Sequence, residues 1–147
     1  MIQYVPIAYA CAEGHDLYFI QYIWVHGYDE GMGNQQGRGA GRALLQAVEE
    51  DARAMGAKGM VAWGLAFPHW MPATWYEKQG YVEADRLARD VLVWKPFSND
   101  AQAPQWMRPR KTPAAEPGKV TVMAFVAGWL VPDALPLSVG TASCTGR

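Results

Sequence analysis

Gln36-Gly37-Arg38-Gly39-Ala40-Gly41 runs directly into Arg42-Ala43-Leu44-Leu45, so a turn with glycine at every second position opens a segment of helical periodicity. Glycine permits backbone conformations that a Cβ forbids, and three so close together let the main chain double back tightly. The first amides of a helix have no partner of their own, and the helix dipole adds positive potential at that end. Where the two coincide, several N–H groups aim at one spot, and a phosphate group suits it. Arg38 and Arg42 stand at that spot with guanidinium groups able to pair with phosphate.

Working outward, Leu17-Tyr-Phe-Ile-Gln-Tyr-Ile-Trp-Val25 is aromatic, β-branched or aliphatic almost throughout and predicts a central strand covered on both faces. Gly27, Gly31 and Gly33 extend the glycine loop backward to it. Beyond the loop, Leu44, Leu45, Val48, Ala52 and Met55 recur at helical spacing with Gln46, Glu49, Glu50 and Arg53 between them, and Gly56 is placed to cap that helix. Met60 to Leu65 predicts a second buried strand, Ala73 to Gln79 a short helix stopped by Gly80, and Tyr81–Leu87 with Val91–Phe97 a closing hairpin. Residues 98–118 hold Pro104, Pro109, Pro113 and Pro117 among polar residues and read as a stiff linker. One further strand is expected in Lys119–Val126, within a C-terminal extension of residues 119–147.

Other phosphate loops fail on spacing. There is no Gly-Lys-Ser/Thr, and a dinucleotide fingerprint opened by Gly37 needs a glycine where Arg42 stands, with an acidic residue closing the Met60–Leu65 strand. A net charge of −1 across 147 residues gives no field for nucleic acid. Cys11 and Cys144 lack metal-like spacing, so neither a metal site nor a disulfide scaffold is expected, and a reducing cytoplasm fits. The run from Val120 to Val131 is broken by Gly128 and ends at Pro132, too short to span a membrane, and no leader-like series opens the chain. The partner is expected to be a small molecule.

Gln36 to Gly41 resembles the acyl-CoA signature of the GNAT superfamily of N-acetyltransferases: Gln or Arg, two residues, Gly, one residue, then Gly or Ala. Thr74-Trp75-Tyr76-Glu77-Lys78-Gln79-Gly80-Tyr81 is similar to that superfamily's second element, an aromatic-Tyr-Glu-Lys stretch before a Gly-aromatic pair. Ile2 to Pro6, Trp24-Val25 and Val93 to Phe97 look like the YoaP-type subgroup, in which a proline-rich linker leads to a second domain. The resemblance implies an α/β core with a mixed sheet spanning residues 1–97. It also implies acetyl-CoA as co-substrate and a primary amine, small or peptidic, as acceptor. Cofactor contacts fall on Trp24, Val25, Gln36, Gly37, Arg38, Gly39, Ala40, Gly41 and Arg42, with the pantetheine arm entering where two parallel strands splay. Tyr76 matches the tyrosine that protonates the departing sulfur. For a base, His26 and His69 beside the two strands and Asp29 and Glu30 between them remain alternatives, His26 being the first candidate.

The pattern also departs from the superfamily. Full domains place a first strand, helices and a hairpin before the central strand, whereas only Met1 to Asp16 precede Leu17 here, so a core lacking those elements is expected. Met1–Tyr9 is then a single edge strand. The open edge and apolar face imply a homo-oligomer, completed by Met1–Tyr9 or Lys119–Val126. Without an acceptor half, a non-catalytic binder of CoA or another small ligand is the second reading.

Overall fold

A computed structural model describes residues 1–68 and 70–108. The chain divides into two units, Met1–Met107 and Arg108–Arg147, and the first holds every element described below. His69, the rest of the proline-rich stretch and the strand expected in Lys119–Val126 lie outside the described residues.

The class is mixed α/β. Five strands, β1 (Ile2–Pro6), β3 (Leu17–Ile23), β4 (Gly59–Leu65), β5 (Val82–Leu87) and β6 (Asp90–Pro96), form one sheet in the order β1-β3-β4-β6-β5. Only β3 and β4 are parallel, because helix α1 (Ala40–Ala54) carries the chain across between them; the other pairs are antiparallel. A short helix, α2 (Ala73–Glu77), follows β4. Gly56 and Gly80 terminate the two helical segments with φ of 81° and 88°, the left-handed conformation that glycine takes without a Cβ penalty.

Strand alternation divides the core into two layers. Ile20, Met60, Ala62, Val91 and Val93 meet Leu45, Val48 and Ala52 of α1 and Ala73 and Tyr76 of α2 on one face. Their neighbours Leu17, Phe19, Val61, Leu92 and Trp94 fill the other. The continuous apolar runs of these strands follow from being covered twice.

The second face is not left open, and its cover corrects the expected boundary at residue 97. Ile7 and Ala12 close it together with Trp106, which is 7 % exposed. A two-residue strand, β7 (Gln105–Trp106), pairs antiparallel with β2 (Ala12–Glu13). Trp106 N donates to Asp85 Oδ2 at 2.8 Å, and Met107 N to Cys11 O at 3.1 Å. Lys58 Nζ holds Asp100 at 2.8 Å on the way. Proline and polar residues rule out a helix or long strand in residues 98–107, but one tryptophan beside an uncovered apolar face has a large burial gain.

Two irregularities in β3 prepare the site. Tyr22 lies opposite Gln3 and Ile20 opposite Tyr4, which leaves Gln21 as an extra residue, a β-bulge. The bulge switches the alternation, so Ile23 rather than Tyr22 joins the helix-side layer. Parallel pairing of β3 with β4 runs only from Leu17↔Gly59 to Phe19↔Val61, after which the two part from each other, β3 staying paired with β1 to Ile23 and β4 with β6 to Leu65. Trp63 Nε1 donates to Gln21 O at 3.1 Å across the opening. Among the described residues no helix is long and apolar enough to cross a membrane.

Candidate functional site

A cleft of about 760 Å³ opens at the splayed ends of β3 and β4. Three segments wall it: the end of β3 with Val25, the turn from Gln35 into the first residues of α1, and the loop from Trp70 into α2. Its position beyond the carboxyl ends of two parallel strands is where open α/β sheets bind ligands.

The turn is shaped by its glycines and by a side-chain clamp. Gly37 and Gly39 take φ of 75° and 85°, with open space where a Cβ would stand. Gly39 is the N-cap of α1 and supplies no side chain to cap it. Ala43 N donates to Gly39 O at 3.0 Å, the first bond of the helix. Upstream, Gln36 N donates to Asn34 Oδ1 at 2.8 Å, and Gln36 Nε2 to Val25 O at 3.1 Å, fastening the turn to the end of β3. Between these two points the amides of residues 37–42 have no hydrogen-bond partner among the described residues. Four successive orphan donors are expected at any helix start. Here the residues at that start, Gly39 to Arg42, line a cleft.

Of the residues singled out from sequence, Val25, Gln36, Gly37, Gly39, Ala40, Gly41, Arg42 and Tyr76 line this cleft together. Arg42 is the single cation among its described lining residues. Arg38, one position from Gly37 and Gly39, is exposed and outside the wall.

Trp24 is not brought in. Its N and O are both bonded to Met1, each at 2.8 Å, so they continue the β1–β3 ladder, and its ring lies outside the cleft. The free amide on this strand end is that of Val25, which has no partner among the described residues. His26 is likewise outside the wall. Its Nε2 meets Glu30 O at 2.9 Å, and its ring packs edge-on against Trp24 at 5.5 Å and Tyr28 at 5.8 Å. The described lining residues include neither a carboxylate nor an imidazole.

Tyr76 reaches the cleft from the core. It is 5 % exposed, packed against Trp75 at 4.9 Å and Tyr81 at 5.4 Å between ring centroids. Burial pushes its phenol far above the ordinary range, so the hydroxyl is a hydrogen-bond donor at any physiological pH. A buried tyrosinate is a stronger base than a thiolate, whose ordinary pKa is about 8.5, so full proton transfer to sulfur runs uphill. Donation of a hydrogen bond does not.

Sequence reasoning missed Trp70, Met71, Pro72 and Gln79 as wall residues and gave Trp75 a core role. Trp75 and Gln79 lie one helical turn apart and share a face, a spacing that was available as a signal. Trp75 also packs onto the first turn of α1: a Cβ on Gly41 would stand 3.2 Å from Trp75 Cζ2. Met71 had no such signal; its φ of 44° and the bond from Leu65 N to Met71 O at 2.7 Å are set by how the loop closes on β4. No family model, curated protein or solved structure matches this chain.

Proposed function

We propose that this chain is an N-acetyltransferase of the GNAT type, acting on a primary amine with acetyl-CoA as co-substrate. The observation that carries the reading is that Gly37, Gly39, Ala40, Gly41 and Arg42, at the glycine turn and helix start, line one cleft with Val25 and Tyr76. The motifs resembling the GNAT elements thus share a single cavity.

The residues fit the group. The amides of residues 37–42 and the Arg42 guanidinium suit a pyrophosphate, and the apolar wall of Ile23, Val25 and Pro72 suits a pantetheine arm. The bound co-substrate supplies an acetyl thioester, in which the C–S bond breaks as the amine nitrogen bonds to the acyl carbon. Val25 N is the chain's donor for the acyl oxygen, and Tyr76 donates a hydrogen bond to the sulfur. Direct attack uses the neutral amine, whose proton leaves to water, and rate then depends mainly on positioning. No lysine or arginine precedes Arg38, while Glu13, Asp16, Asp29 and Glu30 do, which favours an amine that is cationic in solution. The strands β1 and β5 are the edges of the sheet, and assembly of copies through one of them belongs to the same proposal.

One second reading, a CoA-binding protein without turnover, is favoured by the His26 ring, which is held at Glu30 O outside the cleft wall. A thermal-shift titration tests binding: acetyl-CoA must raise the melting temperature, because it stabilises the native state alone. Tyr76→Phe separates the readings, since an enzyme loses about 10- to 100-fold in thiol release, the worth of one hydrogen bond to a developing charge, while keeping CoA affinity. An unchanged melting temperature at saturating acetyl-CoA rules out both.

A further inference from the structure

The Arg42 side chain is held by a neutral partner. Arg42 Nε donates to Gln79 Oε1 at 3.1 Å. Gln79 is itself tied down twice: its Nε2 donates to Trp75 O at 3.4 Å, and its main-chain O accepts from Lys95 Nζ at 3.2 Å. Lys95 is in turn fixed by Glu49, which is 5 % exposed and accepts from Nζ at 2.8 and 3.1 Å. A chain of bonded groups therefore leads from the buried core to a guanidinium in the cleft.

We propose that Gln79 is a positioning residue that aims Arg42 at the phosphates of the bound ligand while leaving its charge uncompensated. The inference rests on the acyl-CoA reading of the cleft and adds how α2 takes part in anion recognition.

A guanidinium has five N–H donors; with Nε committed to Gln79, the two terminal nitrogens keep the paired fork that fits a phosphate. An arginine side chain loses rotamer entropy when held, and a preset partner removes that cost from ligand binding. A glutamate in place of Gln79 has the same reach, yet its charge competes with the ligand for the guanidinium. An amide orients without competing. Among the described residues no carboxylate forms an ion pair with Arg42, whereas Arg53, Lys58, Arg86 and Lys95 each have one.

The test is a double-mutant cycle on the full chain, read by calorimetric binding of CoA, pantetheine and inorganic pyrophosphate. Gln79→Ala and Arg42→Ala should each weaken CoA and pyrophosphate about tenfold, and the double variant should be no weaker than Arg42→Ala alone. Gln79→Glu, isosteric and able to accept the same bond, should weaken both anions at least as much, and pantetheine should bind all variants as it binds the wild type. The inference is overturned if Gln79→Glu retains wild-type anion affinity, if Gln79→Ala costs as much in the Arg42→Ala background, or if pantetheine weakens in parallel. Wild type binding pyrophosphate but not CoA, with the cycle intact, removes the acyl-CoA reading and keeps the positioning role. Wild type binding neither anion removes both.

Discussion

Gly39 and Tyr76 show how much of the site is carried by single residues. Gly39 holds φ at 85° as the N-cap of α1, so Gly39→Ala must adopt a left-handed conformation that costs about 1–2 kcal/mol, although open space surrounds the new methyl. Urea unfolding reads that loss, and a variant as stable as wild type means the turn has another accessible shape. For Tyr76 the prediction concerns pH. Its phenol is raised by burial, the protonated form is the donor, and it persists above the ordinary titration point of about 10. A profile of acetyl transfer therefore has no descending limb from this residue below pH ~10, and Tyr76→Phe leaves the shape of the profile unchanged. Asp100 behaves oppositely: the hydrogen bond and charge of Lys58, 2.8 Å away, lower its carboxyl to about 2. Because the folded value is depressed, the stabilisation is present above the ordinary carboxylate range and is lost as pH falls toward 2. A carboxyl carbon shift followed by NMR should titrate there and move up in Lys58→Ala.

At the scale of elements, the docking of α2 on β4 is the contact that sets Tyr76 and Gln79. It depends on Gly64, where a Cβ would stand 2.7 Å from the N and Cα of Ala73. Main-chain atoms cannot swing aside as a side-chain tip does, so Gly64→Ala must lift α2. An overpacking cost of about 1–3 kcal/mol is expected, with Tyr76 fluorescence and CoA affinity both changed. A variant with wild-type stability and affinity means that α2 has slack. The elements themselves were legible: continuous apolar runs marked β3 and β4, the closing hairpin marked β5 and β6, the spacing from Leu44 to Met55 marked α1, and Gly56 and Gly80 marked the ends of helical segments. The start of α1 at Ala40, four residues before the apolar periodicity begins at Leu44, was not, because glycine turn and first helical turn share the same residues.

For the whole unit, the return of residues 98–107 is the main prediction. Trp106 closes the second layer beside Leu92 and Trp94, so Trp106→Ala should cost about 3–5 kcal/mol, as large aromatic truncations in cores do. A chain ending at Phe97 should be less stable by a similar amount or fail to fold, whereas residues acting as a plain spacer lead to neither effect in thermal unfolding. Composition misled here for a physical reason. Proline and polar content reports what local structure a segment forms, while burial depends on a complementary apolar surface elsewhere in the chain.

Local chemistry was enough, read from sequence alone, to mark the order of elements from β3 to β6, the glycine turn with its helix, and Tyr76 on the short helix after β4, because each rests on residues close together in the chain. Only the tertiary structure decided which of them meet. It joined the turn, Val25 and Tyr76 in one cleft, and committed the Trp24 main chain to β1. It turned His26 toward Glu30, and set Gln79 against Arg42. Such contacts depend on where strands stop pairing and where a bulge switches faces. Those are properties of packed elements, and no short window of sequence contains them.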